Sequence, residues 1–196
     1  MRTEGTAELT RDERDFLLQL ALRAIVERAE SGTTAAVDDS ELTPALRSAK
    51  GCFVTLTQRG ELRGCIGNLT PEHPLFLAVI QNACGAAFRY VRFEPVTREE
   101  ARDLKIGISV LTEPATLAFS SPGDLLRKLR PGVDGVVLNV GGRTATYLPK
   151  VWEKIPDPEN FMESLTGKAR LPISAWQATE AVVLTYQVES FEADRP

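Results

Sequence analysis

The sequence predicts an α+β fold (mixed α and β elements), and three observations carry that prediction. Two stretches alternate apolar and polar residues on either side of a glycine-bearing turn, as antiparallel hairpins do: GCFVTLTQRGELRGCIG (Gly51–Gly67) and VDGVVLNVGGRTATYLP (Val133–Pro149). Other stretches repeat apolar residues at helical spacing. Hairpins and helices follow one another without a regular strand–helix alternation, which argues against a parallel sheet.

Thr10 followed by Glu13 is a capping box, in which each side chain satisfies a free backbone donor of a first helical turn. Leu17, Leu18, Ala21, Leu22 and Ile25 then repeat at helical spacing, so a helix is predicted from about Arg11 to Ala29. ESGTTAAVDDSE, Glu30 to Glu41, reads as a polar loop.

In the first hairpin, a three-residue turn of Gln58, Arg59 and Gly60 would pair Thr57 with Glu61, Leu56 with Leu62, Thr55 with Arg63, Val54 with Gly64 and Phe53 with Cys65. One face then carries Cys52, Val54, Leu56, Leu62 and Ile66. The other carries Phe53, Thr55, Thr57, Glu61, Arg63 and Cys65. Cys52 and Cys65 point to opposite faces and are not expected to form a disulfide.

PLFLAVIQNACGAAF (Pro74–Phe88) predicts a mostly buried helix, with Pro74 suited to its first turn. Thr97 with Glu100 is a second capping box and opens a short helix. KIGISVLTEP is a strand ended by Pro114, and Ser121 starts a helix through Leu129. The second hairpin turns at Gly141-Gly142. Asp157 caps a helix that stops near Gly167, and AVVLTYQVESF is a last strand placing the end of the chain in the sheet.

Composition narrows the functional classes. With 196 residues, 43% hydrophobic and 26% charged, the chain suits one sizeable core with two lobes. A net charge of −4 and a pI near 5.2 argue against a nucleic-acid binder with a broad basic face. A local patch of Arg63, Arg89, Arg92 and Arg143 is the one feature in favour of nucleic acid. No run approaches the roughly 18 apolar residues of a membrane helix. The polar start MRTEGTAELTRDERD does not read as a secretory signal, so the three cysteines are expected to be reduced thiols in a cytoplasmic protein. One histidine and no paired Cys or His spacing leave little material for a metal site, and no cofactor is expected.

Cys65 is the candidate nucleophile. Arg63 lies two residues before it on the strand, and a guanidinium beside a thiol favours the nucleophilic thiolate. Gly64 and Gly67 carry no side chain, so a ligand or another backbone segment can approach there. The competing reading makes Cys65 a small residue in a crowded strand, with glycines required by packing. His73, between Glu72 and Pro74 at a helix start, reads as a solvent-exposed loop residue, and Cys52 and Cys84 read as core thiols. Arg92 and Arg143 join Arg63 as candidates for a pocket that holds an anionic group. Tyr147 is a further polar candidate in GGRTATYLP, although most such residues make ordinary sheet pairs. Trp152 and Trp176 read as core or lobe-contact residues. The chain has no P-loop, no strand-following G-x-G-x-x-G and no G-x-S-x-G elbow.

LRGCIG (Leu62–Gly67), followed in order by RFEPVT, ISVLTEP, GVDGVVL, GGRTATYLPKVWEKIPDPENF and LPISAW, resembles the AMMECR domain family. The resemblance runs from about Cys52 to Trp176. It implies a single AMMECR-type domain over residues 1–196, with a larger and a smaller lobe built from discontinuous segments. The larger lobe would hold a mainly antiparallel sheet with helices, and a groove would lie near the LRGCIG strand. It also implies a modification pathway shared with a radical SAM protein and a Memo-type protein, so any iron or radical centre would come from the partner. Two positions depart from the family pattern: Tyr90 stands where an aspartate is usual, and Ala169-Arg170 stands where glycine is usual before LP. Two readings therefore stand side by side. One is an enzyme or enzyme component acting on a small-molecule or peptide-like ligand beside Cys65, and the other is a non-catalytic binding or adaptor module.

Overall fold

The computed structural model describes residues 8–33 and 35–193; residues 1–7 of the polar N-terminal stretch and Thr34 of the predicted polar loop lie outside them. The helices are α1 (Arg11–Ser31), α2 (Pro44–Arg47), α3 (Leu75–Phe88), α4 (Arg98–Ala101), α5 (Pro122–Lys128) and α6 (Pro158–Lys168). The strands are β1 (Cys52–Gln58), β2 (Glu61–Asn68), β3 (Lys105–Leu111), β4 (Ala115–Thr116), β5 (Gly135–Val140), β6 (Arg143–Tyr147), β7 (Val182–Tyr186) and β8 (Val188–Glu192). They form two four-stranded sheets, ordered β2-β1-β3-β8 and β4-β7-β5-β6. The fold is α+β, as the sequence predicts. The chain divides into two compact units, Met1–Leu111 with Glu189–Pro196, and Thr112–Val188.

In the first unit α1 begins at the expected capping box: Glu13 N donates to Thr10 Oγ1 and Thr10 N donates to Glu13 Oε2. Leu17, Ala21 and Ile25 on α1 are fully buried with Leu75 and Val79 of α3 and with Cys52, Val54 and Leu56 of β1. Each large aliphatic side chain so buried contributes about 1.5–3 kcal/mol. The helix α3 lies against one face of the sheet, and small residues let it come close. Gly64 and Ile66 of β2 meet Ala86 and Gly85 of α3, and the buried Asn82 Nδ2 donates to the Cys52 carbonyl and to Asn68 Oδ1.

The first hairpin departs from the predicted register. Its turn has two residues, with Arg59 at φ 52° and Gly60 at φ 84°, the left-handed pair that matches the twist of flanking strands. Gln58 therefore pairs with Glu61 and Thr57 with Leu62. One extra residue, Arg63, then shifts the ladder, so Leu56 pairs with Gly64, Thr55 with Cys65 and Phe53 with Gly67. The shorter turn and the bulge move Leu62 off the predicted core face; it is 39% exposed. Beyond the bulge the faces fall as expected, with Cys52 buried on the helix side and Cys65 on the opposite side.

The predicted last strand is broken at Gln187. Its first part is β7 in one sheet and its second part is β8 in the other, because Gln187 leaves the ladder to bond with Thr112 on both sides of its peptide unit. In the second unit Trp152 stacks on Phe161 at 3.6 Å between ring centroids, and Trp152 Nε1 donates to the carbonyl of the buried Asp134. Trp152 and Trp176 are both core residues of this unit. Gly135, paired with Tyr186, lies under the tyrosine ring, where a methyl group would sit 2.3 Å from ring carbons.

The helix α6 ends at Ala169-Arg170, the segment where the resemblance implies a glycine. Leu171 N bonds to the Thr166 carbonyl, and Arg170 adopts φ 57°, the left-handed position that closes such a cap and favours glycine. Arg170→Gly is expected to stabilise the second unit by about 0.5–1 kcal/mol, the difference between relieved side-chain strain and added backbone freedom. Urea unfolding of this variant checks the expectation, and an unchanged or lowered midpoint would refute it.

Candidate functional site

The two faces of the first unit's sheet differ in chemistry. Residues alternate across β1, β2, β3 and β8, so one face is the core and the other collects short polar side chains. Register places Cys65, Thr55 and Gly107 in one row, and Gly67, Phe53 and Ser109 in the next. Ser109 Oγ lies 3.0 Å from Ser190 Oγ on β8. A third row runs Leu62, Thr57 and Lys105, closed by a 2.8 Å ion pair from Lys105 to Glu192.

Cys65 is half-buried on this face, and Thr55 Oγ1 donates a hydrogen bond to its sulfur at 3.4 Å. That bond fixes how the thiol is presented. The neighbouring Gly107 gives the row a low floor, since a methyl group there would meet nothing closer than 3.9 Å. Cys52, by contrast, is sealed in the core, where burial pushes its thiol up to about 11 despite the Asn82 amide that bonds to it. Cys84 is not the core thiol the sequence suggested. It is half-buried on α3 and packs against a small apolar cluster of Leu20, Ala24, Ala35 and Ile80, with its sulfur facing the Ala24 carbonyl of α1.

The two glycines of LRGCIG serve packing. A methyl group on Gly64 would lie 2.2 Å from the Ala86 carbonyl oxygen, so α3 occupies the space that glycine opens. The Phe53 ring lies across Gly67, its cross-strand partner, filling the space a side chain would take.

Arg63 emerges at the bulge and turns toward the segment before α4. Its guanidinium pairs with Glu100 at 3.2 Å, donates to the Glu94 carbonyl at 2.9 Å and lies 5.5 Å from the Phe93 ring centroid. Glu100 is held below the usual carboxylate range, first by the Arg63 hydrogen bond and then by the Thr97 backbone N–H. Arg92 flanks the same Phe93 ring and reaches the Tyr90 hydroxyl at 3.5 Å. Where the resemblance implies an aspartate, a tyrosine hydroxyl thus lies beside a cation. Arg143 and Tyr147 belong to the second unit, where Arg143 donates to the Arg170 carbonyl and the Tyr147 hydroxyl lies 3.0 Å from Ser164 Oγ. Of the three arginines expected to converge on an anion, Arg63 and Arg92 share the Phe93 ring in the first unit, while Arg143 bonds within the second. His73 is exposed just ahead of α3.

The sequence puts Thr55 on the face of Cys65 but opposite Arg63, whereas the structure pairs it with Cys65 itself; Gly107, Ser109 and Ser190 were missed. Their signal was the alternation of polar and apolar residues in KIGISVL, where Lys105, Gly107 and Ser109 interleave with Ile106, Ile108 and Val110. Among the described residues no group of three or more His, Cys, Asp or Glu side chains is placed to hold a metal ion.

Residues 18–191 match the family model described as AMMECR1. The chain belongs to the AMMECR1 family. A relative from Methanothermobacter thermautotrophicus is 37% identical over 193 residues, covering 96% of this chain and 98% of its own. Protein MK0488 of Methanopyrus kandleri is 34% identical over 197 residues, covering 96% and 92%. The crystal structure of uncharacterized protein PH0010 from Pyrococcus horikoshii superposes with a TM-score of 0.85 at 35% identity, covering 92% of this chain and 91% of that one. These AMMECR1-family names carry no activity, and in the described residues no helix is long and apolar enough to cross a membrane.

Proposed function

We propose that this AMMECR1-family protein binds a small-molecule or peptide-like ligand over the Cys65–Thr55–Gly107 row, with Cys65 as its nucleophile. The observation that carries this reading is the placement of Cys65 on the face turned away from α3, with a hydroxyl on its sulfur and a glycine floor beside it. Gly64 and Gly67 support the site by letting the strand seat against α3 and Phe53. In the modification pathway that the resemblance implies, a radical SAM protein and a Memo-type protein would be partners, and any iron centre would be theirs.

The test is the pH dependence of alkylation at each cysteine, read by peptide mass spectrometry on the folded protein. Cys65 is expected to react first, Cys84 more slowly and Cys52 only on unfolding, because burial raises the latter two thiols. A Cys65 inert until unfolding would overturn the nucleophile and leave the adaptor reading. That second reading draws on one observation, the turn after α3, where Val91 is 97% and Phe93 41% exposed beside Arg92. Aromatic and arginine side chains of this kind anchor protein interfaces.

A further inference from the structure

We propose a second ligand site, independent of Cys65, that takes a small organic anion between the C-terminal halves of α1 and α3. A cavity of about 160 Å³ opens there, lined by Arg28, Ile80, Gln81, Cys84, Phe88 and Arg89. That volume equals about five waters at roughly 30 Å³ each, enough for a carboxylate or phosphate carrying a few carbons.

The lining is chemically sorted. Ile80 and Phe88 form an apolar wall, the Gln81 amide offers donors, and two guanidiniums stand at the rim. No acidic residue lines the cavity. Neither the Arg28 nor the Arg89 guanidinium has a hydrogen-bond or ion-pair partner among the described residues, whereas Arg14, Arg63, Arg98 and Arg130 each hold a carboxylate. Glu30, two residues beyond Arg28 on α1, is already held by Arg98 and Arg102. The thiol of Cys84 lies in the wall with its sulfur 3.7 Å from the Ala24 carbonyl. Burial raises that thiol while Arg28 and Arg89 both pull it down, so both cations bear on the same point.

Arginines near helix C-termini also complement the helix dipole, and Arg28 and Arg89 sit at the ends of α1 and α3. That role alone provides no cavity and predicts no saturable binding. The two accounts separate in one experiment on the full chain.

Inorganic phosphate and, separately, acetate would be titrated into isotope-labelled protein at low salt, following the arginine Nε–H signals and the Gln81 amide. Arg28, Arg89 and Gln81 are expected to shift together and saturate with one dissociation constant. Arg28→Gln and Arg89→Gln should each weaken it roughly fivefold, and the double variant should abolish it. Phosphate binding without acetate binding identifies a phosphate-bearing ligand; the reverse identifies a carboxylate. Shifts that fail to saturate, or that appear equally at the exposed Arg59 and Arg127, would overturn the site as mere counter-ion condensation. A second readout uses Cys84 itself. Iodoacetate, an anion, should be favoured over iodoacetamide at Cys84 relative to Cys65, and the preference should vanish in the double variant. The sulfur attacks the methylene carbon, iodide leaves and the thiol proton goes to water. An equal preference at both cysteines in the unaltered protein would count against the site.

Discussion

Gly64→Ala is expected to destabilise the first unit by about 3 kcal/mol or more, at the upper end of what overpacking costs. The added methyl would meet the Ala86 carbonyl oxygen at 2.2 Å and the Ala86 carbonyl carbon at 3.0 Å. Both atoms belong to the backbone of α3, which cannot rotate out of the way as a side chain can. The helix is also pinned just before the contact, by Asn82 bonding to Cys52 and Asn68 and by Gly85 against Ile66. Relief therefore requires moving α3 off β2, which opens the core around Val79, Ala83 and Cys52. Urea unfolding followed by far-ultraviolet circular dichroism reads the change.

Gly107→Ala is the matched control. Its methyl would enter ordinary contact distance, so it should change stability by well under 1 kcal/mol while crowding the floor beside Cys65. If Gly64→Ala were as mild as Gly107→Ala, the close approach of α3 to the LRGCIG strand would be wrong. If Gly107→Ala slowed Cys65 alkylation without loss of stability, the row on that face would be in use.

Local chemistry explains which parts of this fold were legible in the sequence. Capping boxes at Thr10 and Thr97 state their own geometry, because donor and acceptor lie within four residues, and both helices start where those residues indicate. The hairpin turn differs from the predicted one because Arg59 gives no hint of tolerating a positive φ, and the bulge at Arg63 that restores the faces leaves no local mark. The break at Gln187 was hidden for a different reason. Val182 to Glu192 is uniformly strand-like, and only the competition between two sheets, settled by bonds to Thr112, divides it. The site was half legible. Cys65 stands out as a residue type in a motif, but Ser109 and Ser190 come from strands distant in sequence and join it only through register. The partner of Arg63 could not be read either, since Glu100 is 37 residues away and already explained by its own capping box.

Arg63→Met is expected to destabilise the first unit by about 2–3 kcal/mol and to loosen the segment from Arg89 to Val96, while leaving Cys65 alkylation little changed. The arginine is only 12% exposed, its partner Glu100 29%, and the pair is tied further by the Glu94 carbonyl and the Phe93 ring. Removing the cation leaves a half-buried carboxylate whose remaining support is the Thr97 backbone N–H. Arg63→Met/Glu100→Gln should therefore recover part of the loss, and the cycle of single and double variants isolates the pair. Acid titration gives a second signature. Glu100 is depressed in the folded state below the 4.5 of a free carboxyl, so its contribution is present above that value and disappears as the pH falls through the folded value. Arg63→Met should flatten the stability profile in that acid window and leave neutral pH with the larger deficit. Thiol reactivity decides what the arginine is for. A guanidinium neutralised by Glu100 has little charge to offer Cys65, so equal alkylation rates in the parent and Arg63→Met would mark Arg63 as the anchor of the exposed Val91–Phe93 turn. A steep fall in Cys65 reactivity would instead show that the arginine acts on the thiol directly, through an arrangement in which Glu100 releases it.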